Sequence, residues 1–262
     1  MSEVLTPRPA STILPLRDGP HGVEVLVVRR NLNSDFVGGA YVFPGGAVDP
    51  DDEDFSGLCH GRDDAGASQR LGLTRGGLAY YVAALRELFE EAGLLVARRV
   101  DAAEALADEA ALARWRDELN GHRCRFADVL EDSGLVLDLA GVEYLAHWVT
   151  PVGLARRYDT RFFVVQAPSG QIAEHDAAET VAHRWIRPVD ALAAASRGDI
   201  TMILPTLRNL DLIVPFDRVV DVLAWARSRD SITRVEPRIV ERRGRSEILA
   251  PGDAGYESAG PA

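Results

Sequence analysis

The chain has 262 residues, 47% of them hydrophobic and 26% charged, the composition of an ordinary globular protein long enough to build a sizeable core without disulfide or metal staples. Its 29 basic residues are all arginine, which excludes lysine Schiff-base chemistry and the lysine of a phosphate-cradling P-loop. Forty acids leave a net charge of −11, which repels a long polyanion and argues against non-specific nucleic-acid binding.

The first residues, up to Asp18, carry acids and prolines where a leader needs a basic flank and an apolar run, and nowhere do 18 apolar residues follow one another. Cys59 and Cys124 lie far apart, with no C-x-x-C, so neither a disulfide framework nor a cysteine zinc site is expected. These features predict a cytoplasmic chain with no membrane span.

Two β-branched runs open the chain, at 11–16 and 23–29, and the Asp18-Gly19-Pro20 break between them predicts two strands. After Tyr41-Val42-Phe43, the sequence Pro44-Gly45-Gly46 predicts a turn. Residues 49–77 are acidic, glycine-rich and aperiodic, and predict a long surface loop, mobile or partly disordered, at the mouth of a cleft. Helical periodicity then runs over 78–92 and stops at Gly93. A strand over 94–97, helices over 102–119 and 126–133, and strands over 143–150, 160–166 and 181–186 follow. Beyond Pro188 the pattern predicts helices over 189–197, 204–213 and 218–229, and a late hairpin with arms at 239–241 and 247–249 around Arg243-Gly244. The elements lack a regular βαβ alternation. A mixed sheet between helical layers is expected, rather than a doubly wound parallel sheet.

The chemistry-bearing stretch is Arg86-Glu87-Leu88-Phe89-Glu90-Glu91-Ala92-Gly93-Leu94. At about 100° per residue, Glu87, Glu90 and Glu91 share an arc of roughly 100°, opposite Tyr81, Leu85, Leu88, Phe89 and Ala92. Like charges at these spacings destabilise a helix by a few tenths of a kcal/mol each, and Gly93 puts them at the C-terminal turn, where the macrodipole gives an acid no help. A hard divalent cation would account for the cluster; a solvated acidic face is the alternative. There is no H-E-x-x-H and no G-x-S-x-G, so a zinc peptidase and a serine esterase lack their residues. Tyr80, Tyr81, Phe162, Phe163 and Trp185 read as core rather than adenine-stacking groups, and Cys59 beside His60 as a chance pair.

The stretch resembles the signature of the Nudix hydrolases, G-x5-E-x7-R-E-U-x-E-E-x-G-U with U aliphatic: Arg86, Glu87, Leu88, Glu90, Glu91, Gly93 and Leu94 all match. Leu78 stands where the signature has its first glutamate. Gly46 is a better counterpart of the first glycine than Gly72; it precedes Arg86 by 40 positions where the signature has 14, so about 26 residues are inserted after the turn. An insertion at this place is similar to the branch containing the animal peroxisomal coenzyme A diphosphatases. Thr150-Pro151, the run from Arg157 to Phe163, Trp185 and Pro205-Thr206-Leu207 extend that similarity. The branch's coenzyme A motif, L-L-T-x-R-[SA]-x3-R-x3-G-x3-F-P-G-G, is matched at Leu26, Arg30, Gly39 and Phe43 to Gly46, and departed from at Val28, Asn31 and Asp35.

The resemblance implies an α/β/α sandwich with a mixed sheet and helical additions. The Nudix domain would span 1–236, with 49–77 as an inserted loop and 98–135 as a helical insertion; a C-terminal hairpin and tail would occupy 237–262. It further implies hydrolysis of a nucleoside diphosphate linked to another moiety, leaning to coenzyme A or acyl-coenzyme A. An ADP-ribose or NADH-type pyrophosphatase, or an inactive Nudix-fold binding or regulatory module, is the alternative. Mg²⁺ or Mn²⁺ would be held by Glu87, Glu90 and Glu91, with Arg86 holding a glutamate in position or serving as a surface ion pair. A helix glutamate or Glu179 would be the general base, Glu179 being otherwise an ordinary loop acid. Gly45, Gly46, Arg30, Arg157 and Arg161 would contact substrate, Arg30 being the candidate for the 3′-phosphate of coenzyme A. The expected partners are a small nucleotide-derived substrate and at most a second copy of the chain as a homodimer, with no long nucleic acid and no membrane.

Overall fold

Alternating apolar residues and the tight bend between Gly19 and Gly22 pair β1 (Arg8–Gly19) with β2 (Gly22–Arg30) as an antiparallel hairpin, Leu16 opposite Val25 and Asp18 opposite Val23. The computed structural model describes residues 5–32, 37–99, 109–176, 178–242 and 244–259; the Asp35 departure noted above lies outside them. Two short strands edge the hairpin: β3 (Tyr41–Val42) on β2 and β4 (Gly45–Ala47) on β1. The predicted turn at 44–46 is thus only half a turn, because Gly45 and Gly46 are extended and belong to a strand.

The segment 49–77 is not a loop. It folds as a 3₁₀ turn (Pro50–Glu53), β5 (Cys59–His60) and α1 (Asp64–Leu71) before α2 (Gly77–Ala92). Its acids and glycines serve caps and junctions: Asp63 accepts the Gly66 N–H, Asp64 accepts the N–H groups of Gly76 and Leu78, and Gly77 packs where a Cβ would meet the Ser68 backbone at 2.3 Å. Its sparse apolar residues, Phe55, Ala67 and Leu71, are buried in the core around α2. Composition averaged over the whole segment hid that division of labour.

After α2 come β6 (Ala97–Arg99), α3 (Glu109–Asn120), α4 (Phe126–Ser133) and β7 (Leu135–Asp138), and the order β5-β7-β6 makes a separate three-stranded sheet. The strand predicted at 94–97 starts only at its last residue, since the Leu95 backbone is held instead by the Gln171 side chain. Residues 100–108, the first part of the helix predicted over 102–119, lie outside the described residues. The chain returns to the main sheet with β8 (Glu143–Val149), β9 (Tyr158–Gln166) and β10 (Thr180–Ile186). It continues through α5 (Pro188–Arg197), α6 (Leu204–Ile213) and α7 (Val219–Ser228), then β11 (Arg234–Val235) and the hairpin of β12 (Arg238–Arg242) and β13 (Arg245–Leu249).

The main sheet runs β10-β2-β1-β9-β8-β11, with β1 parallel to β9, β8 parallel to β11 and the other neighbours antiparallel. Alternation along the strands supplies two cores. Ile13, Leu26 and Phe163 pack with α1 to α4 on one face, and Leu14, Val25, Val27 and Val164 with α5 to α7 on the other. This is the expected layering of a mixed sheet between helices, with α2 laid against β1 and β4. None of the helices of the described residues is long and apolar enough to cross a membrane.

Candidate active site

Alanine and leucine fill α2 from Leu78 to Ala92 and bury nearly all of one side, and Gly93 closes it in the left-handed region (φ 70°) with its N–H on the Phe89 carbonyl. The helix therefore ends with its acids raised over β4. Close approach explains the paired glycines: a Cβ at Gly46 would stand 2.4 Å from Glu87 Oε1, and one at Gly45 would stand 2.4 Å from the Ser11 carbonyl oxygen. Gly45 N–H donates to Glu91 Oε2 at 3.3 Å.

Arg86 is 8% exposed and organises the cluster. Its Nη1 donates to Glu87 Oε1 and to Glu90 Oε2, both at 3.0 Å, and its Nη2 donates to the Ala47 carbonyl at 2.9 Å. Its Nε and Nη2 also grip Asp52 of the 3₁₀ turn, at 2.9 Å each. Its ion pairs are buried, unlike the surface pair that is the alternative reading of Arg86. Sequence reasoning missed Asp52, which is 1% exposed and accepts the Asp49 N–H at 2.8 Å. The available signal was Asp49-Pro50, an N-cap residue followed by proline at the first helical position.

Burial is the largest influence on all three carboxyls; Arg86 opposes it at Glu87 and Glu90, and the Glu87 charge adds to it at Glu91. Burial lifts the Glu87 carboxyl to about 8 against the pull of Arg86, and burial with the Glu87 charge holds Glu91 well above the ordinary carboxylate range. Burial also raises Glu90, with Arg86 opposing. Glu91 is 3% exposed, yet among the described residues the Gly45 N–H is the one donor to its carboxylate. Across from the helix, Arg30 at the end of β2 draws the Glu91 carboxyl down, and Glu179 pushes both Glu87 and Glu91 up. The Asn31 N–H on the Glu179 carbonyl oxygen, 2.8 Å, ties the two approaches together. Among the described residues Arg30 Nε is buried without a hydrogen-bond partner.

All three helix glutamates, Arg86, Arg30, Glu179, Gly45 and Gly46 line one cleft of about 1430 Å³. Arg157 and Arg161 do not. Arg157 is buried and spends its guanidinium on the carbonyls of Thr150 and Leu5 and on Glu236, while Arg161 is bonded to Asp159 and lies against the Tyr80 ring. Tyr81 and Phe163 are core, with ring centroids 4.4 Å apart; Phe162 is buried in the opposite core but reaches the cleft wall. Burial pushes the Cys59 thiol up to about 12, which removes it as a nucleophile.

Among the described residues no three His, Cys, Asp or Glu side chains converge as a closed metal centre. The hard carboxylates of Glu87, Glu90 and Glu91 nevertheless line one cleft, the first two each bonded to Arg86. Such a set suits a small divalent cation, which takes one or two protein carboxylates and completes its shell with water and phosphate oxygens.

A family model described as the NUDT19 Nudix domain matches residues 62–213. The acyl-coenzyme A diphosphatase NUDT19 of Homo sapiens is 26% identical, over 95% of this chain and 76% of that protein; its Gallus gallus counterpart is 28% identical, over 91% and 74%. Among solved structures, a NUDIX hydrolase from Alicyclobacillus acidocaldarius superposes with a TM-score of 0.68 at 29% identity, covering 84% of this chain and 96% of that one.

Proposed function

The chain belongs to the family of NUDT19 Nudix domains, and on that premise we propose that it is a divalent-metal-dependent diphosphatase that cleaves the diphosphate of coenzyme A or its thioesters. The observation that carries the reading is the Arg86-organised set of Glu87, Glu90 and Glu91 in the wall of a cleft that also receives Arg30 and Glu179. Glu87, Glu90 and Glu91 would hold Mg²⁺ or Mn²⁺, with Arg86 bonded once to each of Glu87 and Glu90. When bound, the cation screens the phosphate charge and lowers the pKa of an attacking water. Arg30 binds a diphosphate oxygen, a role supported by the pull of its charge on Glu91 and by a buried Nε that has no partner among the described residues. Gly46 keeps a side chain out of the space between β4 and Glu87, and Gly45 gives its N–H to Glu91. Glu179, exposed on the cleft rim, takes the proton of the water.

The relatives named above, acyl-coenzyme A diphosphatases, support the substrate class. The catalytic unit spans 1–236, with 49–77 and 98–135 as insertions and 237–262 as an appendage whose Ile248 reaches the cleft. Hydrolysis assays with Mg²⁺ and Mn²⁺ over coenzyme A, acyl-coenzyme A, ADP-ribose, NADH and dinucleoside polyphosphates test the proposal. Preferential cleavage of coenzyme A species is expected; a clear preference for ADP-ribose, or no metal-dependent turnover, rejects it.

A further inference from the structure

A guanidinium has five N–H donors, and in Arg86 all five are engaged: two by Asp52, one by Ala47 O and two by Glu87 and Glu90. The two Asp52 bonds are parallel and equal in length, the bidentate geometry that fixes the plane of the fork. With that edge clamped, only Nη1 faces the acids. The Glu87 and Glu90 carboxylates each receive one hydrogen bond from Arg86, which grips neither at both oxygens. Released from the clamp, the fork is free to turn and close on one glutamate in the same bidentate way, competing with a cation for its oxygens. Leu78, which stands where the resembling signature has a glutamate, cannot replace the clamp: it lies about 12 Å along the helix from Arg86 and is buried in the core.

We propose that Asp52, contributed by the inserted segment, is a positioning residue of the cation site: it fixes the Arg86 fork so that Glu87 and Glu90 stay spaced and available to metal. The proposal rests on the diphosphatase reading. It makes the insertion part of the machinery, since the turn that carries Asp52 is anchored by Phe55 in the core on α2.

The test is a double-mutant cycle on the full chain, with Mn²⁺ binding followed by electron paramagnetic resonance in the absence of substrate and kcat and KM measured on coenzyme A. Asp52→Asn, nearly isosteric, should weaken Mn²⁺ binding on the order of 10–100-fold and lower kcat, with KM at saturating Mn²⁺ little changed. Asp52→Glu, which keeps the charge, should recover part of the loss. In an Arg86→Lys background there is no fork to hold, and Asp52→Asn should add less than about twofold. Unchanged Mn²⁺ affinity in folded Asp52→Asn, or losses that add fully in the Arg86→Lys background, overturn the proposal. Should Asp52→Asn fail to fold, the same cycle with Asp52→Ser, which likewise removes the carboxylate, decides by the same criterion. A parent chain that neither binds Mn²⁺ nor cleaves a diphosphate overturns the diphosphatase reading itself, and the positioning role with it.

Discussion

Burying one carboxylate beside another is costly, and Glu91 does so with a single backbone N–H as partner. Glu91→Gln removes that cost along with an oxygen proposed to bind the metal. The expected outcome is a loss of turnover by several orders of magnitude, with a melting temperature equal to or above that of the parent in EDTA; a variant that keeps the parent rate places the chemistry elsewhere. Glu87 gives the matching pH dependence. Its folded-state carboxyl is raised to about 8, so between the ordinary carboxylate range and that value the folded chain binds a proton the unfolded chain has released. The contribution of this group to stability is therefore full at low pH and lost as pH rises through about 8. In metal-free buffer, the melting-temperature difference between Glu87→Gln and the parent should grow from about pH 5 to about pH 8 and then level, and saturating Mg²⁺ should shrink it. These acids were legible because their spacing is local, three positions on one helical arc. Asp52 was not, because it is 34 positions from Arg86 and sits in a run with Asp49, Asp51, Glu53 and Asp54, where nothing local distinguishes the buried carboxylate from the solvated ones.

At the scale of elements, long periodic segments announced themselves and the inserted segment did not. The helix ending at Gly93 and the hairpin of β1 and β2 follow from uninterrupted patterns, whereas Phe55, Ala67 and Leu71 are too sparse among acids and glycines to register as a periodicity. They form a side layer of the core all the same, with Phe55 against Phe126 at 5.9 Å between ring centroids. Phe55→Ala should accordingly cost about 3–5 kcal/mol, the usual range for emptying a buried aromatic site. At roughly 2–4 °C per kcal/mol for a chain of this size, thermal unfolding should show a drop on the order of 6–20 °C. A shift within about 1 °C would restore the picture of a surface loop that the composition suggested. The paired glycines teach a related lesson. A turn explained Gly45-Gly46 equally well in sequence, yet neither has a positive φ, and what requires them is the nearness of Glu87 and Ser11, a contact no local pattern encodes.

For the whole molecule, the cleft is the product of every layer: α2 and β4 supply the acids and the floor, the segment after α3 a wall, the start of α6 and the hairpin of β12 and β13 the far side. Its volume of about 1430 Å³ exceeds the range of about 300–1,000 Å³ usual for small-molecule sites, which favours a long substrate with several contact points over a bare nucleotide. On a surface of net charge −11, a polyphosphate needs local cations, and of the two arginines beside the acids Arg86 is engaged by Asp52, Glu87 and Glu90 while Arg30 acts on Glu91. Where it grips the substrate decides how its loss is felt. If it holds the diphosphate, Arg30→Ala should reduce kcat/KM for coenzyme A and for dephospho-coenzyme A by the same factor, on the order of 10–150-fold for a charge-assisted hydrogen bond of about 1.5–3 kcal/mol. If it holds the 3′-phosphate, as the motif match alone suggests, only coenzyme A should suffer, because the two substrates differ at that group and nowhere else. Steady-state kinetics of both substrates on parent and variant give four numbers and one ratio of ratios. A value near one keeps Arg30 at the diphosphate; a value near the full loss on coenzyme A moves it to the 3′-phosphate and contradicts the role supported by the pull of its charge on Glu91.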